Sequence, residues 1–129
     1  MTNTGRSAGQ SCVLCAEFDS SESSSLKLHD GDRCFVILNK YPYNNGHLMV
    51  VPNRHVATLS ETLPSELSEL MTLTRTAERV LSEAYDPDGL NIGINLGRSA
   101  GAGVPGHLHI HVVPRWDGEI GRASCRERV

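Results

Sequence analysis

The chain of 129 residues contains no apolar run approaching the ~18 residues that a bilayer-spanning helix needs. Its opening stretch, MTNTGRSAGQ, lacks the apolar segment of a secretory signal. Neither sign of charge dominates. Twelve Lys and Arg against 15 Asp and Glu give a net charge of −3, which excludes a basic nucleic-acid binder. With 39% hydrophobic residues it is equally far from a disordered acidic chain. There is no internal repeat, and the four cysteines (Cys12, Cys15, Cys34 and Cys125) come without the secreted context that favours disulfides. These absences leave one compact domain with a modest core, expected in the cytoplasm, with neither a membrane nor a nucleic-acid polymer as partner.

What is present begins with a polar lead-in (residues 1–11), the pair CVLC, and the low-complexity stretch DSSESSS at 19–25. Residues 1–25 are expected to form a flexible N-terminal arm carrying the CxxC. LKLHD and RCFVILN (33–39), separated by Gly31, read as a hairpin. KYPYNNG is a turn, and HLMVVP (47–52) is a third strand ended by its proline. From Leu63 to Ala84 the apolar positions Leu63, Leu67, Leu70, Met71, Ala77, Val80, Leu81 and Ala84 follow helical spacing, with Thr62 as the expected N-cap and Pro64 in the first turn. AYDPDG stops the helix. LNIGINLG (90–97) is a fourth strand, and the glycine-rich RSAGAGVPG feeds a fifth. The order predicts an α+β domain over residues 26–118, an antiparallel sheet of about five strands covered by one long helix.

The fifth strand carries the chemistry. In GHLHIHVVPRW (106–116), His107, His109 and His111 alternate with Leu108, Ile110 and Val112. Period two sends the apolar residues to one face and the three imidazoles to the other, spaced by about 7 Å at a rise of ~3.3 Å per residue. One small polar ligand could touch two or three rings. A solvated polar face is the bland alternative, but three groups that titrate near neutrality beside a glycine-rich loop mark a site.

Cys12 and Cys15 are spaced to grip one metal ion, and a closed zinc site needs two more ligands. Spacing leaves His29, His47, His55 and the three strand histidines as candidates. No strand precedes the CxxC, as a thioredoxin-like redox pair would require. The last segment, EIGRASCRERV (119–129), has no apolar period and no cap, and it is similar to the in-frame translation of a sequencing-library adapter. It is expected to be non-native, with the biological sequence ending near Gly118 and continuing differently. Without its three arginines and two glutamates the net charge is −4.

HLHIHVV resembles the His-φ-His-φ-His-φ-φ signature (φ, apolar) of the histidine-triad, or HIT, superfamily, which acts on nucleoside phosphates. FVILNKYPYNNGHLMVVPNRHV resembles that family's paired strands and turn, and NIGINLGRSAGAG its phosphate loop, so that residues 33–116 are covered. LNKYPYNNGHLMVVP and HLHIHVVPRW are most similar to the bacterial zinc-bearing diadenosine polyphosphate hydrolases and phosphorylases.

The resemblance implies the following roles. His109 is the nucleophile that attacks the α-phosphorus and forms a nucleotidyl-histidine intermediate. His111 contacts phosphate beside it. Asn39 and His47 lie around the nucleoside and its sugar, and Asn95 lies near the phosphates. A structural zinc is held by Cys12, Cys15, His55 and His107. Many relatives place Gln or Ser in the loop before the triad, where this chain has Gly103; Ser99 or backbone amides then stand in for that side chain. A homodimer is implied as well.

The chemistry suits these residues. Imidazole attacks well at neutral pH and leaves again when an acceptor arrives, provided its other nitrogen is protonated and held. Diadenosine polyphosphates or nucleoside phosphoramidates are the expected substrates, and water or phosphate the acceptor. Two rival classes stand beside this reading: a hydrolase whose three histidines bind a catalytic zinc, and a nucleotide-binding module without catalysis.

Overall fold

Period-two alternation along the strands decides how this chain layers. The computed structural model describes residues 12–19, 26–39, 46–102, 104 and 106–118. The expected lead-in, the polar stretch 20–25, Gly103 and the expected tail lie outside the described residues. Strands β1 (Lys27–Asp30), β2 (Cys34–Leu38), β3 (Leu48–Pro52), β4 (Gly89–Ile94) and β5 (Ile110–Arg115) form one antiparallel sheet in the order β1-β2-β3-β5-β4. The fold is α+β, as expected.

Among the described residues two α-helices flank the sheet. The long one, α2 (Pro64–Tyr85), covers one face. There Cys34, Val36, Leu48, Val50, Leu108, Ile110 and Val112 meet Leu70, Ala77 and Leu81 in the main core. The other face of the same strands carries Phe35, Ile37 and Val51, which cluster with Cys12, Leu14 and Cys15. These last three belong to α1 (Val13–Asp19) and the residue before it. The expected flexible arm is therefore, in this part, a docked helix. Leu14, 2% exposed between two buried cysteines, gives it an apolar face to bury.

The N-terminus of α2 corrects one expectation. Thr62 does not cap it; its hydroxyl donates to the Leu59 carbonyl at 2.6 Å and closes the 3-10 turn Leu59–Glu61. Leu63 is the N-cap, Pro64 opens the helix, and the Glu66 carboxylate accepts the Leu63 N–H at 2.8 Å. The buried stripe is also narrower than the apolar spacing. Leu70, Ala77 and Leu81 are buried together with Glu66 and Thr74, while Leu63, Leu67, Met71 and Val80 are exposed. Polar residues hold two core positions because each is satisfied: Glu66 by Arg54, and Thr74 by the Leu70 carbonyl at 2.7 Å.

Two glycines fix where strands begin. A Cβ at Gly31 would collide with the Glu69 carboxylate, which itself accepts the N–H groups of Arg33 and Cys34 at 3.0 Å each and ties the hairpin to α2. Gly46, at φ +80°, enters β3 so close to α2 that a side chain would meet the Tyr85 ring at 2.9 Å. The β5 ladder starts at Ile110, four residues later than the segment expected from 106. Residues 107–109 make other bonds instead: Leu108 N–H donates to Val56 O at 2.7 Å, and His107 N–H to Val104 O at 3.2 Å.

Candidate functional site

The alternation read from GHLHIHVV holds in three dimensions. Leu108, Ile110 and Val112 enter the core under α2, and the three histidines turn to the opposite face. Register then brings neighbours to them. Met49 pairs with His111, so His47, two residues before Met49, extends toward the same ring. Asn39 follows β2, where its N–H donates to the His47 carbonyl at 2.9 Å. Asn39 Nδ2 stands 3.0 Å from His47 Nδ1, and His47 Nε2 stands 2.9 Å from His111 Nδ1. The His109 and His111 rings meet edge to face at 4.8 Å between centroids.

His109 has its own anchor. Its Nδ1 lies 2.7 Å from the His107 carbonyl. A carbonyl only accepts, so Nδ1 carries the proton and Nε2 keeps a lone pair. Burial pushes the His109 pKa down, with the bond to His107 opposing. Burial also pushes His47 down to about 4, reinforced by Arg115 and His109. His111 falls to about 3 through burial, then His109 and His47. These rings are neutral at pH 7, the state in which an imidazole can attack.

Beside this row lies a group of four donors. Cys12 Sγ and Cys15 Sγ each stand 3.4 Å from His107 Nδ1; Cys15 Sγ is 3.2 Å and His107 Nδ1 3.3 Å from His55 Nδ1. All four atoms lie within 4.8 Å of one another. Zinc bonds of about 2.3 Å to sulfur and 2.0–2.1 Å to nitrogen put tetrahedral ligand atoms roughly 3.3–3.8 Å apart, so the donors fit that ion. His107 is prepared for it, because its Nε2–H donates to the Pro52 carbonyl at 2.9 Å, so that its Nδ1 lone pair faces the other three donors. Of the three strand histidines only His107 joins this group. His109 and His111 spend Nδ1 on other bonds, an arrangement unlike a three-histidine metal centre.

The remaining expectations sort as follows. His29 lies exposed on β1, away from the four donors. Asn95 is half-buried just after β4, near Gly101, and Ser99 is exposed in the turn Arg98–Ala100. Among the described residues no bond ties either to the histidine row. Cys34 is fully buried in the main core, and burial pushes its thiol up to about 12, with Glu69 and Glu66 adding. Arg115 is 4% exposed and donates from Nε to Asn91 Oδ1 at 2.8 Å.

Sequence reasoning missed the clamp that holds the His55 loop. Arg54 donates from Nε and Nη2 to the two Glu66 oxygens at 2.7 and 2.8 Å, and from Nη2 to the Glu61 carbonyl at 3.0 Å. Glu61 in turn accepts the N–H groups of Ala57 and Thr58. Glu at the third helical position was the available signal.

Residues 20–118 match the sequence profile of the HIT domain. The chain belongs to the HIT family. It is 48% identical over 99 residues to the AP-4-A phosphorylase of Mycobacterium tuberculosis, covering 77% of this chain and 51% of that protein. It is 36% identical over 104 residues to an adenylylsulfatase of Arabidopsis thaliana, covering 81% and 52%. The chain thus spans about half the length of these curated relatives. Among solved structures it is similar to a Zn-bound histidine triad family protein from Mycobacterium smegmatis, with a TM-score of 0.73, 31% identity, and coverage of 86% and 79%. A HIT family protein from Bacillus anthracis shares the fold at a TM-score of 0.75 and 24% identity, covering 85% and 77%. Among the described residues of this HIT protein no helix is long and apolar enough to cross a membrane.

Proposed function

We propose that this HIT domain transfers a nucleotidyl group from diadenosine polyphosphates or nucleoside phosphoramidates through a covalent intermediate on His109. One observation carries the reading: the His107 carbonyl takes the Nδ1 proton of His109 and leaves a lone pair on Nε2, on the face shared with His111. In the first step that lone pair forms a bond to the α-phosphorus, and the bond from phosphorus to the leaving polyphosphate or amine breaks. In the second step an oxygen of the acceptor bonds phosphorus and the N–P bond breaks, restoring the imidazole. His111 contacts the phosphate beside His109. Asn39 and His47 border the nucleoside, and Asn95 and Ser99 serve the phosphates from the glycine-rich segment. Likeness to the mycobacterial phosphorylase favours inorganic phosphate over water as acceptor.

Cys12, Cys15, His55 and His107 hold a structural zinc, which cross-links α1 to the sheet when bound. None of the three described cysteines is in a disulfide, in keeping with a reducing cytoplasm. The catalytic unit is residues 26–118, with Cys15 of α1 and Cys12 just before it supplying two ligands. It pairs as a homodimer, for which the exposed Leu67 and Met71 on α2 and Ile92 on edge strand β4 provide apolar contact.

Diadenosine tetraphosphate tests the reading. With phosphate present, ATP and ADP should accumulate with the wild type and not with His109→Ala, while both proteins carry one zinc. ATP and AMP would identify water as acceptor. Nucleotide binding without turnover of either substrate class would support the non-catalytic module instead, and zinc lost with His109→Ala would support the metal-centred hydrolase.

A further inference from the structure

Three side chains from neighbouring strand ends form one line of hydrogen bonds: Asn39 Nδ2 to His47 Nδ1 at 3.0 Å, and His47 Nε2 to His111 Nδ1 at 2.9 Å. An amide nitrogen has no lone pair to offer, so it donates. His47 Nδ1 must then accept, and a neutral imidazole that accepts at Nδ1 carries its proton on Nε2. That N–H donates to His111 Nδ1, and the same rule puts the proton of His111 on its own Nε2. Burial keeps both rings in the neutral state that the line requires. The backbone fixes the spacing, because Asn39 N–H also donates to the His47 carbonyl at 2.9 Å.

We propose that Asn39 is a positioning residue that acts through His47 to set the tautomer of His111, so that His111 presents an N–H to an anionic group held beside His109. The nucleotidyl-transfer reading enters only in naming that anion as the reacting phosphate; the tautomer belongs to the free protein. Two adjacent rings thereby receive opposite polarity. His109, its Nδ1 proton taken by a carbonyl, shows a lone pair at Nε2; His111, its Nδ1 filled by a donor, shows a proton there. A lone pair can bond phosphorus while the neighbouring N–H meets the charge growing on a non-bridging oxygen. Identical residue types acquire different chemistry from what the far nitrogen touches.

The 15N spectrum of the full chain labelled at histidine, at pH 7 and without nucleotide, reads the two tautomers directly. His111 should show a protonated Nε2 and an unprotonated Nδ1, and His109 the reverse. A wild-type His111 protonated at Nδ1 overturns the inference without recourse to any variant. Two substitutions then test the route. In His47→Gln the amide can still donate to His111, so the His111 tautomer should persist in the 15N spectrum. In His47→Glu, at pH 8, the carboxylate can only accept; the His111 proton should move to Nδ1 and turnover fall by about 10²-fold or more, the usual cost of one oxyanion donor. Asn39→Leu should leave His111 as a mixture of both forms. An unchanged His111 spectrum in both Asn39→Leu and His47→Glu counts against the proposal. Absence of turnover in a wild type with the stated tautomers would defeat the nucleotidyl-transfer reading alone.

Discussion

The two faces of one strand behave differently. Leu108, Ile110 and Val112 sink into a core with α2 in which nothing titrates at pH 7. His107 and His109, interleaved with them, are as buried and His111 is partly so, yet each has a specified partner: three other metal-grade donors, a backbone carbonyl, and a second histidine. Burial on the first face means packing. On the second it means desolvated, neutral imidazoles whose bonds decide which nitrogen is available. The lesson is that period two can separate stability from chemistry residue by residue, with the dry face holding the reactive one in register.

The separation is sharpest at His109 and Ile110. His109→Ala should lower turnover by about 10³-fold or more, since the proposed nucleophile has no substitute, and a thermal melt should show a protein that still folds. Activity within tenfold of wild type would blur the two faces. Metal removal comes next. Zinc at a thousandfold excess over its Kd adds about 4 kcal/mol, so chelation should lower the melting temperature and open α1 to protease near Val13, which limited proteolysis would reveal. Ile110→Ala should cost about 3 kcal/mol by leaving a cavity, with turnover per folded molecule close to wild type. An Ile110 variant that is folded but inactive would break the comparison.

The smallest effect lies at the hinge between the faces. Arg54 holds the Glu66 carboxyl below its ordinary value of 4.5, with burial opposing. A depressed carboxylate stabilises the fold above its unfolded pKa and loses that contribution as pH falls through the folded value. Because the Arg54 side chain is half exposed, Glu66→Gln should cost only about 1 kcal/mol at pH 7. Urea titrations should show the gap from wild type closing as pH drops below 4.5; a gap constant from pH 7 to pH 3 would place the effect elsewhere.

Much of this was legible beforehand where the signal is periodic. The five strands and the helix follow from alternation and helical spacing, and His107 with the CxxC from motif resemblance. What was hidden is whatever depends on a partner far away in the chain. Seven residues of α1 are too few to display a period, and docking through Leu14 decides its structure. Glu66 reads as a surface residue and is buried because Arg54, twelve positions earlier, returns to it. The exposure of Met71 and the burial of Thr74 exchange what hydrophobicity alone assigns. The bonds that set the His111 tautomer join strand ends that no local pattern links.

The proposed function depends on a covalent bond between His109 Nε2 and phosphorus. Rapid-quench intact-mass spectrometry on enzyme mixed with diadenosine tetraphosphate, followed by fragmentation to locate the modified residue, addresses it directly. The account predicts a transient species heavier by one adenylyl group, carried on His109 and missing from His109→Ala. Turnover with no such species at any quench time, or an adduct mapped to another residue, would contradict it.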